Sequence, residues 1–224
     1  MKKMLLSFDV EEFDLHLEFG RQIDEELMFR IGLDGLREVL DLVKDIKVTF
    51  FVSVRFAEKY PEIIESIPEQ HEIALHCLRH DDNYSMMTDE QFEENISKAK
   101  KMLENISGKK VVGFRSPRMQ KPRYNVLEKL GFLYDSSYTP IWMPGRYNNL
   151  FKTRKIHIKN QVVVLPITTL PLLRIPLFWL SFRNFGVGFA NIIYRFCMEK
   201  FINLYFHPWE FVDLKKIEFV KDAE

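Results

Sequence analysis

Reactive side chains in this 224-residue chain recur where apolar runs stop. The run in MLLSFDVEEFD gives way to Asp9, Glu11 and Glu12, EIALHCLRHDD delivers His76 and His80, and VVGFRSP ends in Arg115, Ser116 and Pro117. FLYDSS contains Asp135, and NLYFHPWE ends in His207, Trp209 and Glu210. Two imidazoles separated by three residues suit a single metal ion, whether they share a helix face or sit in the turn after a strand. They also suit ordinary hydrogen bonding. Asp9 and Glu11 are two apart, so an extended backbone puts both carboxylates on one face and Glu12 on the other. That favours Glu11 over Glu12 as the companion of Asp9. His207 follows an apolar run, where a buried, hydrogen-bonded imidazole also fits, and Arg115 also fits an ordinary ion pair.

For such distant residues to act together, the fold must bring strand ends to one face. Strand patterns cover residues 3–10, 47–54, 71–76, 111–117, 132–137, 162–167 and 203–208, rich in β-branched and aromatic residues. Helical spacing covers 25–43, 56–67, 88–108, 125–131 and 187–202. Pro61 falls near a helix start, where its missing N–H costs nothing. Thr88 and Gln91 form a capping-box pair ahead of the third helix, and Gly108 closes it. This alternation predicts βαβ units, a mainly parallel sheet and an α/β fold, a distorted (β/α) barrel of about seven strands. In such a barrel, active groups gather at the C-terminal strand ends. No linker, repeat or low-complexity stretch divides the chain, so residues 1–224 read as one domain.

Composition narrows the function classes. Lys plus Arg equals Asp plus Glu at 32 each, so net charge favours neither nucleic acid nor an anionic surface. Cys77 and Cys197, far apart, make no disulfide framework and suit a reducing compartment. Acidic residues arrive at position 9, too early for a signal-peptide core, and the expected location is cytoplasmic. No apolar run reaches the roughly 18 residues of a membrane span. The segment 168–196 is aromatic and leucine-rich, with only Arg174, Arg183 and Arg195 charged. It reads as a core helix and substrate-side loop, or as an interfacial patch for a lipid or a second subunit in a homo-oligomer.

Taken in order, SFDVEE, HCLRH, RSPR and YFHP resemble the motifs of the polysaccharide deacetylase family, the carbohydrate esterase group also called the NodB-like domain. The resemblance spans residues 5–211. It implies a metal-dependent hydrolase that removes an N-acyl group, typically N-acetyl, from an amino sugar or glycan, on a TIM-like barrel. Glu11, His76 and His80 would hold a divalent metal; zinc suits this ligand set, as do other first-row metals. Asp9 would be the general base, oriented by Arg115, and His207, with an ordinary pKa of roughly 6.5, the general acid. Pro117, Asp135 and Trp209 would meet the substrate, with Trp142, Tyr147 and Trp179 as further aromatic faces for a sugar. The commonest first motif has adjacent aspartates; Asp-Val-Glu resembles a variant branch and keeps Glu12 as a minor contender. FHPWEF likewise departs from the usual leucine-x-histidine setting. Two alternatives remain: hydrolysis of a non-sugar amide C–N bond, and a non-catalytic carbohydrate-binding protein. The expected substrate is a soluble or lipid-linked acylated sugar, the latter handled at a membrane surface.

Overall fold

The computed structural model describes residues 2–18, 20–143, 147–197 and 199–217. In chain order these form β1 (Lys3–Val10), α1 (Leu15–Glu18), α2 (Glu25–Leu42), β2 (Thr49–Ser53), α3 (Val54–Lys59), α4 (Pro61–Glu65), β3 (Glu72–Cys77), α5 (Asp89–Ser107) and β4 (Gly113–Phe114). There follow α6 (Tyr124–Lys129), β5 (Tyr134–Asp135), β6 (Trp142–Met143), β7 (Tyr147–Asn148), β8 (His157–Lys159), β9 (Val162–Val164), α7 (Trp179–Phe196) and β10 (Phe201–Phe206). One sheet runs β10-β1-β2-β3-β4-β5-β9-β8, and β6 and β7 pair separately as a small antiparallel hairpin. Every pairing in the main sheet is parallel except that of β8 with β9. The sheet curls into an open half-barrel, the distorted (β/α) barrel expected.

Parallel strands covered by helices bury both faces, and their sequences are accordingly near-continuous apolar runs. Phe8 and Val10 of β1, Phe50 and Val52 of β2, Ile73 and Leu75 of β3 and Val162 and Val164 of β9 all enter one core. Leu27, Met28, Phe29, Ile31, Leu36 and Val39 turn one face of α2 inward. Asp24 caps α2 by accepting from the Leu27 amide, and Thr88 and Gln91 form the expected reciprocal box on α5. Gly108 ends α5 at φ 65°, a left-handed turn that a side chain would oppose.

Three boundaries differ from expectation. The helix expected over 56–67 is two, because Pro61 starts α4 and Tyr60 before it takes φ −133°, ψ 61°. The helix expected over 187–202 runs over 179–196 instead, with a bend at Gly186. Beyond Cys197 the chain pairs with β1 in the register Lys3 to Phe201, and strand pairing overrides the helical spacing. The unexpected β8 belongs to a tight hairpin whose turn residues, Asn160 and Gln161, both have positive φ. Cys77 and Cys197 are buried and free.

Two glycines bring α2 against the sheet's C-terminal end. A Cβ at Gly32 would collide with the Glu11 carbonyl, and one at Gly35 with the Pro208 carbonyl. Backbone therefore rests directly on backbone at both places.

Candidate active site

Glu11 lies just past β1, His76 on β3 and His80 in the turn that follows it. The parallel pairing of β1, β2 and β3 carries all three to one place. Glu11 Oε2 stands 3.1 Å from His76 Nε2 and 3.2 Å from His80 Nε2. The other ring nitrogens are occupied: His76 Nδ1 donates to the Arg115 carbonyl at 2.8 Å, and His80 Nδ1 bonds Asp14 Oδ2 at 2.6 Å. A carbonyl only accepts, so the proton of a neutral His76 sits on Nδ1 and the Nε2 lone pair faces Glu11.

Burial favours neutral forms here, and the mutual charges overcome it. Against its burial, Glu11 is held down to about 2 by the neighbouring imidazoles, His80 foremost. Burial lowers the pKa of His80, but the Glu11 and Asp14 carboxylates raise it to about 9. Even so, Glu11 Oε2 is buried without a properly directed hydrogen bond. Three donor atoms within 4.8 Å of one another, with two imidazoles oriented from behind, fit a divalent cation. Glu12 turns elsewhere: Arg55 donates to its Oε1 at 3.0 Å and Ser53 to its Oε2 at 3.3 Å.

Asp9 and Arg115 form a second unit. Arg115 is fully buried at the end of β4, and its Nη1 meets Asp9 Oδ1 at 2.5 Å. Its Nη2 donates to the Ser7 and Ser136 hydroxyls, both at 2.9 Å, and its guanidinium lies over the Phe51 ring at 4.1 Å. A buried charge pair is tolerated when the remaining donors are satisfied, and here they are. Asp9 is thereby fixed in place.

His207 stacks on Trp209 at 4.7 Å between ring centroids. Its Nδ1 bonds Glu210 Oε1 at 2.9 Å, and its Nε2 stands 3.7 Å from Glu11 Oε1. Burial alone would lower its pKa, yet the Glu210 hydrogen bond and the charges of Glu11, Glu210 and Asp9 leave it above the ordinary value. It can therefore carry a proton near neutral pH.

Asp9, Glu11, His76, His80, His207 and Trp209 line one cavity of about 420 Å³. Trp179, Leu180 and Arg183, from the start of α7, form part of its other wall. The remaining expected contacts lie elsewhere. Pro117 is buried in a turn whose neighbours Ser116, Arg118 and Met119 face the cavity. Asp135 sits behind that turn: it accepts from the Tyr124 hydroxyl and the Ser137 amide, each at 3.0 Å, and the Ser137 hydroxyl accepts from the Ser116 amide at 2.8 Å. Its reach to the cavity is thus indirect. Trp142 is exposed on β6 and away from the cavity, and the side chain of Tyr147 lies outside the described residues. The sequence does not single out Asp14, and it names Glu210 without a partner; Trp179, expected as an aromatic face, does line the cavity. Asp14 stands five residues after Asp9 and Glu210 three after His207, but spacing alone does not say which imidazole a carboxylate meets.

The sequence profile of the family described as polysaccharide deacetylase matches residues 29–134, a stretch that holds His76, His80 and Arg115. A peptidoglycan deacetylase-like protein of Gibberella zeae is 35% identical over 112 residues, 48% of this chain and 33% of that protein. The chain thus matches about a third of that relative. Among solved structures, a Mycobacterium smegmatis protein described as a polysaccharide deacetylase superposes with a TM-score of 0.64 at 20% identity, covering 93% of this chain and 78% of that one. Puue allantoinase superposes with a TM-score of 0.61 at 20% identity, over 92% and 78%. At such identities the two structures establish the fold alone. The profile match thus marks residues 29–134 as similar to the polysaccharide deacetylase family, and the superpositions show that the chain shares the fold of these structures.

Proposed function

We propose that the protein is a metal-dependent hydrolase that removes an N-acyl group, N-acetyl foremost, from an amino sugar or glycan. The observation that carries this reading is the buried Glu11 Oε2, which faces two imidazole Nε2 atoms whose rings are fixed from behind by the Arg115 carbonyl and Asp14. Glu11, His76 and His80 are the ligands in this reading, and zinc suits two imidazoles and a carboxylate. A divalent cation held there supplies Lewis acidity and lowers the pKa of bound water. Asp9, held by Arg115, accepts the proton of the attacking water. His207, braced by Glu210, gives a proton to the departing amine. Trp209 and Trp179 offer ring faces to the sugar, in a cavity whose size is ordinary for a small ligand.

The reading extends to substrates presented at a membrane surface. Leu180, Phe185, Val187, Ile192 and Phe196 of α7 are exposed, the helix borders the cavity through Leu180 at its start, and residues 168–198 contain no carboxylate. No helix among the described residues is long and apolar enough to cross a membrane.

Metal analysis of protein purified without added metal, followed by release of acetate from a panel of N-acetylated sugars, tests the proposal. Allantoin belongs in the panel because the fold does not choose the substrate. About one equivalent of metal, lost in His76→Ala/His80→Ala, and chelator-sensitive acetate release are expected. Failure to take up metal on titration would sink the mechanism, whereas turnover of allantoin alone would move the substrate to non-sugar amides.

A further inference from the structure

Beside the catalytic cavity lies a larger one of about 790 Å³, and Arg118 and Met119 border both. Five cationic side chains line it, Arg118, Lys121, Arg123, Lys152 and Lys159, against a single carboxylate, Asp82. Arg123 is engaged with Asp89 and with the Tyr84 and Met87 carbonyls. The Asp82 carboxylate accepts from the Arg79 amide at 3.0 Å and from Asn95 at 3.3 Å. Lys121, Lys152 and Lys159 have no carboxylate within ion-pairing distance among the described residues. Lys159 is half-buried over the Tyr124 and Tyr138 rings, at 4.9 and 5.6 Å from their centroids. Burial, and then the charges of Lys152 and Lys121, lower its pKa, and the more distant Asp135 carboxylate opposes them only in part.

The ridge between the two cavities is unusual. Arg118 and Met119 have φ of 53° and 54°, a left-handed conformation adopted by two consecutive residues that are not glycine. Arg118 also donates to the His80 carbonyl at 2.6 Å, which ties the ridge to the turn that presents the second imidazole. Strained backbone of this kind persists where surrounding structure enforces it, often at a ligand site.

We propose that the larger cavity binds a phosphate or diphosphate carried by the substrate beside its acylated sugar, with Lys121, Lys152 and Lys159 as the anion-holding groups. This rests on the reading above in that the acylated sugar occupies the catalytic cavity. Three ammonium groups with no ion-pair partner suit a polyanion better than a lone carboxylate, and lysine is an effective phosphate binder as a point charge. Specificity then favours phosphorylated acyl-sugars over neutral glycans.

Calorimetric binding to the full chain tests this without requiring turnover. The probes are inorganic pyrophosphate, N-acetylglucosamine 1-phosphate, UDP-N-acetylglucosamine, geranyl diphosphate and the neutral N,N′-diacetylchitobiose. Wild-type protein should bind N-acetylglucosamine 1-phosphate about tenfold more tightly than the neutral disaccharide, and Lys152→Ala/Lys159→Ala should erase that preference and the affinity for pyrophosphate. Tighter binding of the nucleotide-linked or of the lipid-linked diphosphate identifies the source of the anion, and either supports the site. Equal affinity for phosphorylated and neutral sugars, or a preference unchanged in the double variant, overturns it. Lysine-dependent pyrophosphate binding without any acyl-sugar hydrolysis would retain the anion site and refute the deacylase reading, so the two fail separately.

Discussion

Removing the Asp14 carboxylate should weaken metal binding without touching a ligand. Asp14 Oδ2 lies 2.6 Å from His80 Nδ1, with the two side chains 16% and 8% exposed. Hydrogen bonds to charged groups contribute about 1.5–3 kcal/mol, and the partial exposure of Asp14 argues for the lower half of that range. At about 1.4 kcal/mol per tenfold, Asp14→Ala should cost roughly 10- to 40-fold in metal affinity. Losses of this order are typical when a group behind a ligating histidine is removed. Asp14→Asn keeps an oxygen acceptor and should lose only about threefold, as the neutral bond is weaker. Competition against a chromophoric chelator measures both variants beside His80→Ala, which should lose nearly all affinity. If Asp14→Ala bound metal within twofold of wild type while His80→Ala did not, the ring would be oriented by something other than Asp14, and the argument from outer partners would fail.

Other expectations concern proton transfer, pH and the surface. His207→Gln should lower turnover by roughly 10²–10⁴-fold with metal content unchanged, since His207 stands outside the three-donor group; metal loss on elemental analysis would refute its assignment as an acid. Asp135 is raised by burial from 3.8 to about 6, which its hydrogen bonds from Ser137 and Tyr124 only partly oppose. The folded state therefore binds more protons than the unfolded one between those values, and stability falls as pH rises from about 4 to 6, by at most about 3 kcal/mol. Asp135→Asn should gain thermal stability relative to the parent across that interval, and a difference independent of pH in parallel melts would contradict the burial argument. Vesicles rich in anionic lipid should sediment the protein at low salt, and Arg183→Glu/Arg195→Glu should release it, at about 1 kcal/mol per basic residue. No sedimentation of the wild type would remove the membrane part of the proposal.

Much of the scaffold was legible because its signals are local. Alternating apolar runs and helical spacings marked β1, α2, β2, β3 and α5, and the Thr88–Gln91 box and Gly108 marked the ends of α5 within the chain itself. The end of α7 was not legible, because what stops it is a partner strand 198 residues earlier, Lys3 facing Phe201. The same distinction runs through the site. Period-two alternation separated Glu11 from Glu12, and the structure turns Glu12 toward Arg55. Asp14 and Glu210 gained meaning only once folding set them against particular imidazoles. Asp135 was expected in the groove from its place among the family's motifs, yet it is buried in β5, with Ser137 as its link to the Ser116 turn.

The seating of α2 has a mechanical consequence. The backbones of Glu11, one of the three donor residues, and of Pro208, which directly follows His207, rest on glycines three residues apart on one helix, a rise of about 4.5 Å. With no side chain between helix and loops, there is nothing to repack, and thermal displacement of α2 carries the carboxylate and the imidazole together. Errors in their separation are therefore shared instead of accumulated. The walls contributed by α7 are free to vary with substrate, while this pair behaves as one rigid jig, and any residue larger than glycine at position 32 or 35 would shift one half of it against the other.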